Sequence, residues 1–538
     1  MPLSSVSPLR LALAAVFALG SSAVGAQPAS VAAPTVQVAT GTLAGKRAEV
    51  GGVALELFQG IPYAAPPVGA LRWKPPQPAA PWHGVRQATR FAANCMQYPI
   101  GDMVFRSSGM SEDCLYLNVW TPGTKPRAKR PVLVYFYGGG FVAGDGSEPR
   151  YDGASLASKG IVTVTVNYRL GVFGFFALPA LADESPVHAA GNYGLLDQVA
   201  ALKWVKSNIA RFGGDPQHIT IGGESAGSIA VSALMAAPSS RGLIAGAIGE
   251  SGALIAPIAP ISKAAAEQQG EAFMRKVGAH SLAQLRALPA ATLLAATKDQ
   301  QDADASPDLD GLFLTEPPAA IFARGEQAPV PVLLGTNSQE GYYGEILGDA
   351  TPTPAHYRAA LEKIFGAATA RVLALYPGND ETQVKASGTA LAGDIFIAHS
   401  TWRWMDALYR SGKAPVYWYY FAQARPAKLH PAPGEHPDAG AVHSGEIEFA
   451  LGNLAGNHVY AWTPADRQTS AQMEGYFANF IKHGNPNGAG LPAWPAVTAK
   501  DGGLTRQWLD AHPHPFIDRN AAREAFLRSW FTDHQAPF

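Results

Sequence analysis

The sequence predicts an α/β protein, with a large, mostly parallel, twisted central sheet flanked by helices. Three observations carry the prediction. Short apolar, β-branched runs alternate with helix-period segments through the first half of the chain, and glycine or charged residues bound each run. One of these runs also ends in a glycine-rich turn that opens directly into an Ala-rich helix.

The elements follow in chain order. "PVLVYF" (131–136) and "IVTVTV" (161–166) are apolar and β-branched, as expected of strands covered on both faces. Between Asp197 and Ala210, the residues Val199, Leu202, Val205 and Ile209 recur at helical spacing, and Gly213-Gly214-Asp215-Pro216 ends that helix. "HITI" (218–221) is the next strand, "GESAG" (223–227) the turn, and an apolar helix then runs to about Met235. The second half is more helical, around 262–297 and 354–374, yet two strands return as "PVLLG" (331–335) and "PVYWYYF" (415–421). After residue 40 there is no repeat, long low-complexity tract or clear linker, so residues 27–538 are expected to form one domain.

Composition narrows the partners. Among 538 residues, Lys and Arg total 41 against 42 for Asp and Glu, which leaves no basic excess for nucleic acid. At the N-terminus, Arg10 precedes an apolar run from Leu11 to Leu19 and small residues ending Val24-Gly25-Ala26. That layout is a secretory signal peptide over residues 1–26, removed on export to the periplasm or beyond. No later segment offers a spanning run; the nearest, 160–182, is interrupted by Asn167 and Arg169, so no stable membrane insertion is expected. The two cysteines, Cys95 and Cys114, allow one connectivity, and export favours a disulfide over two free thiols. They make no zinc pattern, no H-E-x-x-H occurs, and neither metal nor organic cofactor is expected. Monomer and dimer stay open.

The chemistry centres on Ser225. A G-x-S-x-G segment on a tight strand-to-helix turn projects its hydroxyl beyond the sheet and aims a helix N-terminus at developing negative charge. The five-residue pattern is short enough to arise by chance, so its strand and helix neighbours carry the argument. Upstream, "YFYGGGF" (135–141) runs a strand out into three glycines, whose backbone can approach a substrate oxygen. The candidate oxyanion donors are the N–H groups of Gly139 and Gly140, joined by that of Ala226 after the serine. A phosphate loop would need Lys and Ser/Thr after the glycines, where Phe141-Val142-Ala143 stand. The serine needs a base and the base an acid, and fourteen histidines compete. In an α/β-hydrolase the acid follows one late strand and the histidine the last, which selects Glu340 after "PVLLG" and His443 after "PVYWYYF". Asp394 is a rival acid far from a strand end; His430 and His436 flank a Pro-rich loop and are expected at the surface.

Long segments widen the pattern almost end to end: "FQGIPYAAPPVGALRWKPPQP" (58–78), "SEDCLYLNVWTP" (111–122), "VNYRLGVFGF" (166–175), "GNYGLLDQVAALKWVKSNIARFGGDPQHITIGGESAG" (191–227), "GTNSQEG" (335–341), "HSGEIEF" (443–449) and "HGNPN" (483–487). In this order they resemble the type B carboxylesterases, the family of cholinesterases and bacterial para-nitrobenzyl esterases. The resemblance implies an α/β-hydrolase fold with helical insertions around an active-site gorge. It also implies Ser225 as nucleophile, Glu340 as acid, His443 as base, Gly139, Gly140 and Ala226 as oxyanion donors, and a Cys95–Cys114 bridge. Ser251 matches the family's supporting serine, and Glu224 a buried structural carboxylate beside the nucleophile. The implied activity is hydrolysis of a small-molecule ester through an acyl-enzyme. A transacylase would share the triad, whereas a non-catalytic binding relative would have lost the serine or histidine. Cholinesterases carry a Trp in the loop between the two cysteines; here "MQYPIGDMVFRSSGMSED" (96–113) has Tyr98 and Phe105 instead, so a choline ester is not expected. Arg106 in that loop either meets an anionic substrate group or is solvated, and Tyr342, Tyr343 and Phe396 either line the gorge or fill the core.

Overall fold

Each β-branched run is a strand, and the sheet they build is wider than the runs alone indicate. In a computed structural model describing residues 32–101, 103–298, 306–432 and 436–534, twelve strands share one sheet. In chain order they are β1 (Lys46–Val50), β2 (Val53–Pro62), β3 (Tyr116–Thr121), β4 (Arg130–Phe136), β5 (Val162–Val166) and β6 (Gly214–Glu224). Then follow β7 (Gly246–Glu250), β8 (Val332–Asn337), β9 (Val416–Phe421), β10 (Ala499–Lys500), β11 (Gly503–Leu509) and β12 (His514–Asp518). Across the sheet the order is β10-β11-β9-β8-β7-β6-β4-β5-β3-β2-β1, with β12 also on β11. From β11 to β5 every pairing is parallel; beyond those limits every pairing is antiparallel. A separate three-stranded sheet joins Thr35–Val38, Gly41–Ala44 and Val85–Gln87.

Burial explains which strands were legible. Every residue of β5, β7 and β8 is buried, so their sequences are apolar or small except at the ends of β7 and β8, where Glu250 and Asn337 stand. β1, "KRAEV", is an exposed edge with no buried residue, and charge masks its strand character. Three expectations change in detail. β6 starts at Gly214, ahead of "HITI", because Arg130 and Gly214 pair across a register shift. β8 runs two residues past "PVLLG", to Asn337. The last parallel strand is β11, which follows His443 in the chain, so the histidine loop leaves the next-to-last parallel strand.

Helices cover the sheet. α1 (Tyr193–Asn208) begins ahead of the predicted start, after left-handed Asn192, and its continuing 3-10 turn stops at Gly213 with φ 82°. α2 (Ala226–Ala236) is buried at every position. Between β8 and β9 the chain inserts helices that pack around Tyr357, Leu361 and Tyr376, including α3 (Glu381–Gly393) and α4 (His399–Ser411), joined by a π-helical turn over Asp394–Ala398. The C-terminal helix α5 (Ala521–Asp533) adds Phe526 and Leu527 to that cluster. Arg169, just beyond β5, makes a paired contact to Asp197 of α1 at 2.8 Å, with side chains 3% and 0% exposed. Cys95 and Cys114 form a disulfide. Pro34–Phe538 is one compact unit; the signal-peptide expectation falls on residues 1–26, outside the described residues. Among the described residues no helix is long and apolar enough to cross a membrane.

Candidate active site

Ser225 sits where central β6 becomes α2, with φ 54° and ψ −121°. A side-chain-bearing residue adopts such a backbone only when its surroundings enforce it, at a cost of about 1–3 kcal/mol. Two contacts do so. The Ser225 N–H donates to the Glu250 carbonyl of β7 at 2.8 Å. A Cβ on Gly227 would stand 2.1 Å from the Phe136 carbonyl oxygen, so α2 can lie against the end of β4 only with glycine there. The small residues around Ser225 are thus the steric condition for exposing its hydroxyl.

Glu340 lies three residues beyond the end of β8, and His443 in the long connection after β9. Their loops are stitched together. The Gln339 N–H donates to the Ala441 carbonyl at 2.8 Å, and the Ala441 N–H to the Ser338 hydroxyl oxygen at 2.9 Å. His443 Nδ1 then lies 2.7 Å from Glu340 Oε2, and His443 Nε2 lies 2.9 Å from Ser225 Oγ. A proton on Nδ1, facing the carboxylate, leaves the Nε2 lone pair facing the serine. The other Glu340 oxygen accepts from the Asn337 N–H at 2.6 Å and from the Ser251 hydroxyl.

The glycine loop borders the same spot. Gly139 and Gly140 have φ of 106° and 61°, and the Gly139 carbonyl accepts the N–H groups of Val142 and Ala143 at 3.0 Å. Among the described residues, the N–H groups of Gly139, Gly140 and Ala226 donate no backbone hydrogen bond outside regular secondary structure.

Carboxylates surround the imidazole. Glu224 Oε1 has no hydrogen bond and lies 3.2 Å from His443 Nε2, an electrostatic contact. Glu446 accepts from Asn337 Nδ2, and Glu250 from the Tyr135 hydroxyl at 2.8 Å. Burial, reinforced by Glu340, pushes Glu224 up to about 7, while His443 and Arg150 pull it down. Burial with the charges of Glu224 and Glu340 lifts Glu446 to about 8, and burial with the Glu446 charge lifts Glu250 well above the carboxylate range. Burial alone would lower the pKa of His443; Glu224, the hydrogen bond to Glu340 and the Glu446 charge outweigh it and hold the ring at about 9. The site favours an imidazolium.

The competing residues go elsewhere. Asp394 accepts from the Tyr376 hydroxyl at 2.7 Å, and His430 and His436 are exposed. Arg106 donates to Asp152 at 2.7 Å and to the Ser147 carbonyl, with its guanidinium over Phe91. Phe396 is 41% exposed with its ring 5.0 Å from that of His443, edge to face, and Tyr342 is 50% exposed, so neither fills the core. Tyr343 packs partly buried against the inserted helices. Sequence reasoning missed Asn337, Glu250 and Glu446 as members of the cluster. Its one available signal was a carboxylate inside apolar "AIGE" and "HSGEIEF".

Fold and connectivity are those of an α/β-hydrolase. The chain belongs to the carboxylesterase family, type B: the family model matches residues 32–520. It is similar to fumonisin B1 esterase of Sphingopyxis macrogoltabida, 36% identical over 508 residues that cover 91% of this chain and 90% of the relative. It is also similar to human cocaine esterase, at 33% over 93% of this chain and 91% of that one. Para-nitrobenzyl esterase of Bacillus subtilis is 36% identical over 82% and 88% of the two chains. This protein is a carboxylic ester hydrolase.

Proposed function

We propose that Ser225, His443 and Glu340 hydrolyse a carboxylic ester through a covalent acyl-enzyme. The observation that carries this reading is the continuous path of 2.9 Å and 2.7 Å contacts from Ser225 Oγ through the imidazole to Glu340. His443 Nε2 takes the serine proton as Oγ attacks the ester carbonyl. The carbonyl oxygen becomes an oxyanion and accepts from the N–H groups of Gly139, Gly140 and Ala226, each donor contributing about 3 kcal/mol of transition-state stabilisation. The imidazolium, held by Glu340 on one side and Glu224 on the other, returns its proton to the departing alcohol. Water, deprotonated by the same imidazole, then attacks the acyl-serine and frees the acid. Every proton in the cycle is carried by water or by the chain's own residues.

The substrate class we propose is an organic ester, bulky ones included. In support, the similar proteins are named for fumonisin B1, cocaine and para-nitrobenzyl esters. Exposed Phe396 stands beside His443, consistent with a gorge mouth built by the inserted helices. We further propose that residues 1–26 are removed on export and that 27–538 is the catalytic domain. The test is Ser225→Ala with an activated ester: kcat is expected to fall at least about a thousandfold with unchanged melting, along with loss of fluorophosphonate labelling. Activity above about a thousandth of wild type would remove Ser225 from the reaction.

A further inference from the structure

Away from Ser225, the C-terminal half of α4 borders a cavity of about 330 Å³ lined by Arg324, Arg403, Arg410, Lys413 and Arg528, with Asp406 as its one carboxylate. The charges do not cancel. Both Asp406 oxygens are taken, by Arg410 Nε at 2.8 Å and by Arg528 Nη2 at 2.6 Å. Arg324, on the cavity wall, is already paired with Glu316 and Glu326. That leaves Arg403 and Lys413, neither of which has a carboxylate within ion-pair distance among the described residues. Arg403 is the more telling. Its guanidinium is partly buried, and the hydrogen bond described for it is a long one of 3.3 Å from Nη1 to the Ala256 carbonyl. Burial and the neighbouring Arg528 push it below the ordinary arginine range, so its charge is less well compensated than that of a solvated surface arginine. A guanidinium presents several donors in a fixed fork, and most of these are uncommitted here.

We propose that this cavity binds a compact, multiply charged oxyanion of the phosphate type, seated between Arg403 and Lys413 with Arg528 and Arg410 at its edge. A single carboxylate would be satisfied by one guanidinium fork. Converging cations from α4, the segment after it and α5 suit an anion with three or more oxygens and more than one charge. Because the three chain segments meet at this cavity, an occupant would also tie α5 to α4.

The test is calorimetric titration of the whole protein with inorganic phosphate and with pyrophosphate, against sodium chloride at matched ionic strength. The expected result is saturable binding with a dissociation constant below about 1 mM, tighter for pyrophosphate and weakened at least about tenfold in Lys413→Met and in Arg403→Met. Esterase kcat and KM of Lys413→Met should be unchanged, since Lys413 lies outside the catalytic group, and its melting temperature without phosphate reports that it is folded. Co-sedimentation with phosphatidylglycerol vesicles distinguishes the source. Vesicle binding lost in the same variants assigns the phosphate to a lipid headgroup, and phosphate binding without sedimentation assigns it to a soluble ligand. Heats no larger than those of sodium chloride, or equal binding by wild type and both variants, would overturn the proposal.

Discussion

His443 is held near 9 by the carboxylates around it, and the role of base proposed for it needs the neutral ring. An ordinary histidine, titrating near 6.5, would bring kcat/KM to a plateau by about pH 8. Here the acid limb is expected to rise through pH 8 and level only near 10. Glu224 is the largest charge raising the ring, so Glu224→Gln should move that limb to lower pH by about one unit, which a pH profile of kcat/KM reads directly. A limb that stays in place would mean that Glu224 is not charged in the free enzyme. Glu340→Gln keeps the shape and removes the charge that fixes the tautomer, and kcat should drop by about 10³–10⁴. Ser225 was legible because its local sequence context is distinctive, and His443 because of its place in the chain order of the strands. Asn337 was not, because a polar residue at a strand end looks like the start of any loop.

The strand-to-helix corner and the glycine loop answer to different measurements. At Gly227 an added Cβ meets the backbone of β4, which cannot move without shifting the sheet. Gly227→Ala should therefore lower stability by about 1–3 kcal/mol, seen as an earlier denaturant midpoint, and lower activity with it. At Gly139 the added Cβ would stand 2.4 Å from the Ala143 carbonyl oxygen of the same loop and 2.9 Å from the end of the flexible Met103 side chain, with no contact to the sheet among these nearest atoms. Gly139→Ala should cost about 10²–10³ in kcat through one displaced oxyanion donor, with KM and melting little changed. The buried parallel strands were plain in the sequence because burial on both faces permits little but apolar and small side chains. β1 was hidden because its exposed edge carries Lys, Arg and Glu, and β11 because the buried polar residues Arg506 and Gln507 interrupt its apolar pattern.

At the scale of the whole molecule, two long-range links hold the site's surroundings together. Asp197→Ala would leave the Arg169 guanidinium buried and unpaired, for a loss of about 3–5 kcal/mol by chemical denaturation. Replacing both Cys95 and Cys114 by serine opens a loop with a sequence separation of 19 and should cost about 3 kcal/mol, the same change that reduction of the wild type would produce.

What the sequence by itself determined is the order of the parallel elements, the strand-to-helix corner under Ser225 and the glycine loop before it. These are local consequences of covering strands on both faces and of backbone needing room. Choosing His443 among fourteen histidines already leaned on chain order and family likeness. The tertiary structure decided the rest: that loops 103 residues apart are hydrogen-bonded side by side, and that the ring reaches a serine 218 residues away. It also decided that two further carboxylates, Glu224 and Glu446, act on the same imidazole. Such meetings depend on sheet order and on the electrostatics of buried groups, and neither leaves a periodic trace in the chain.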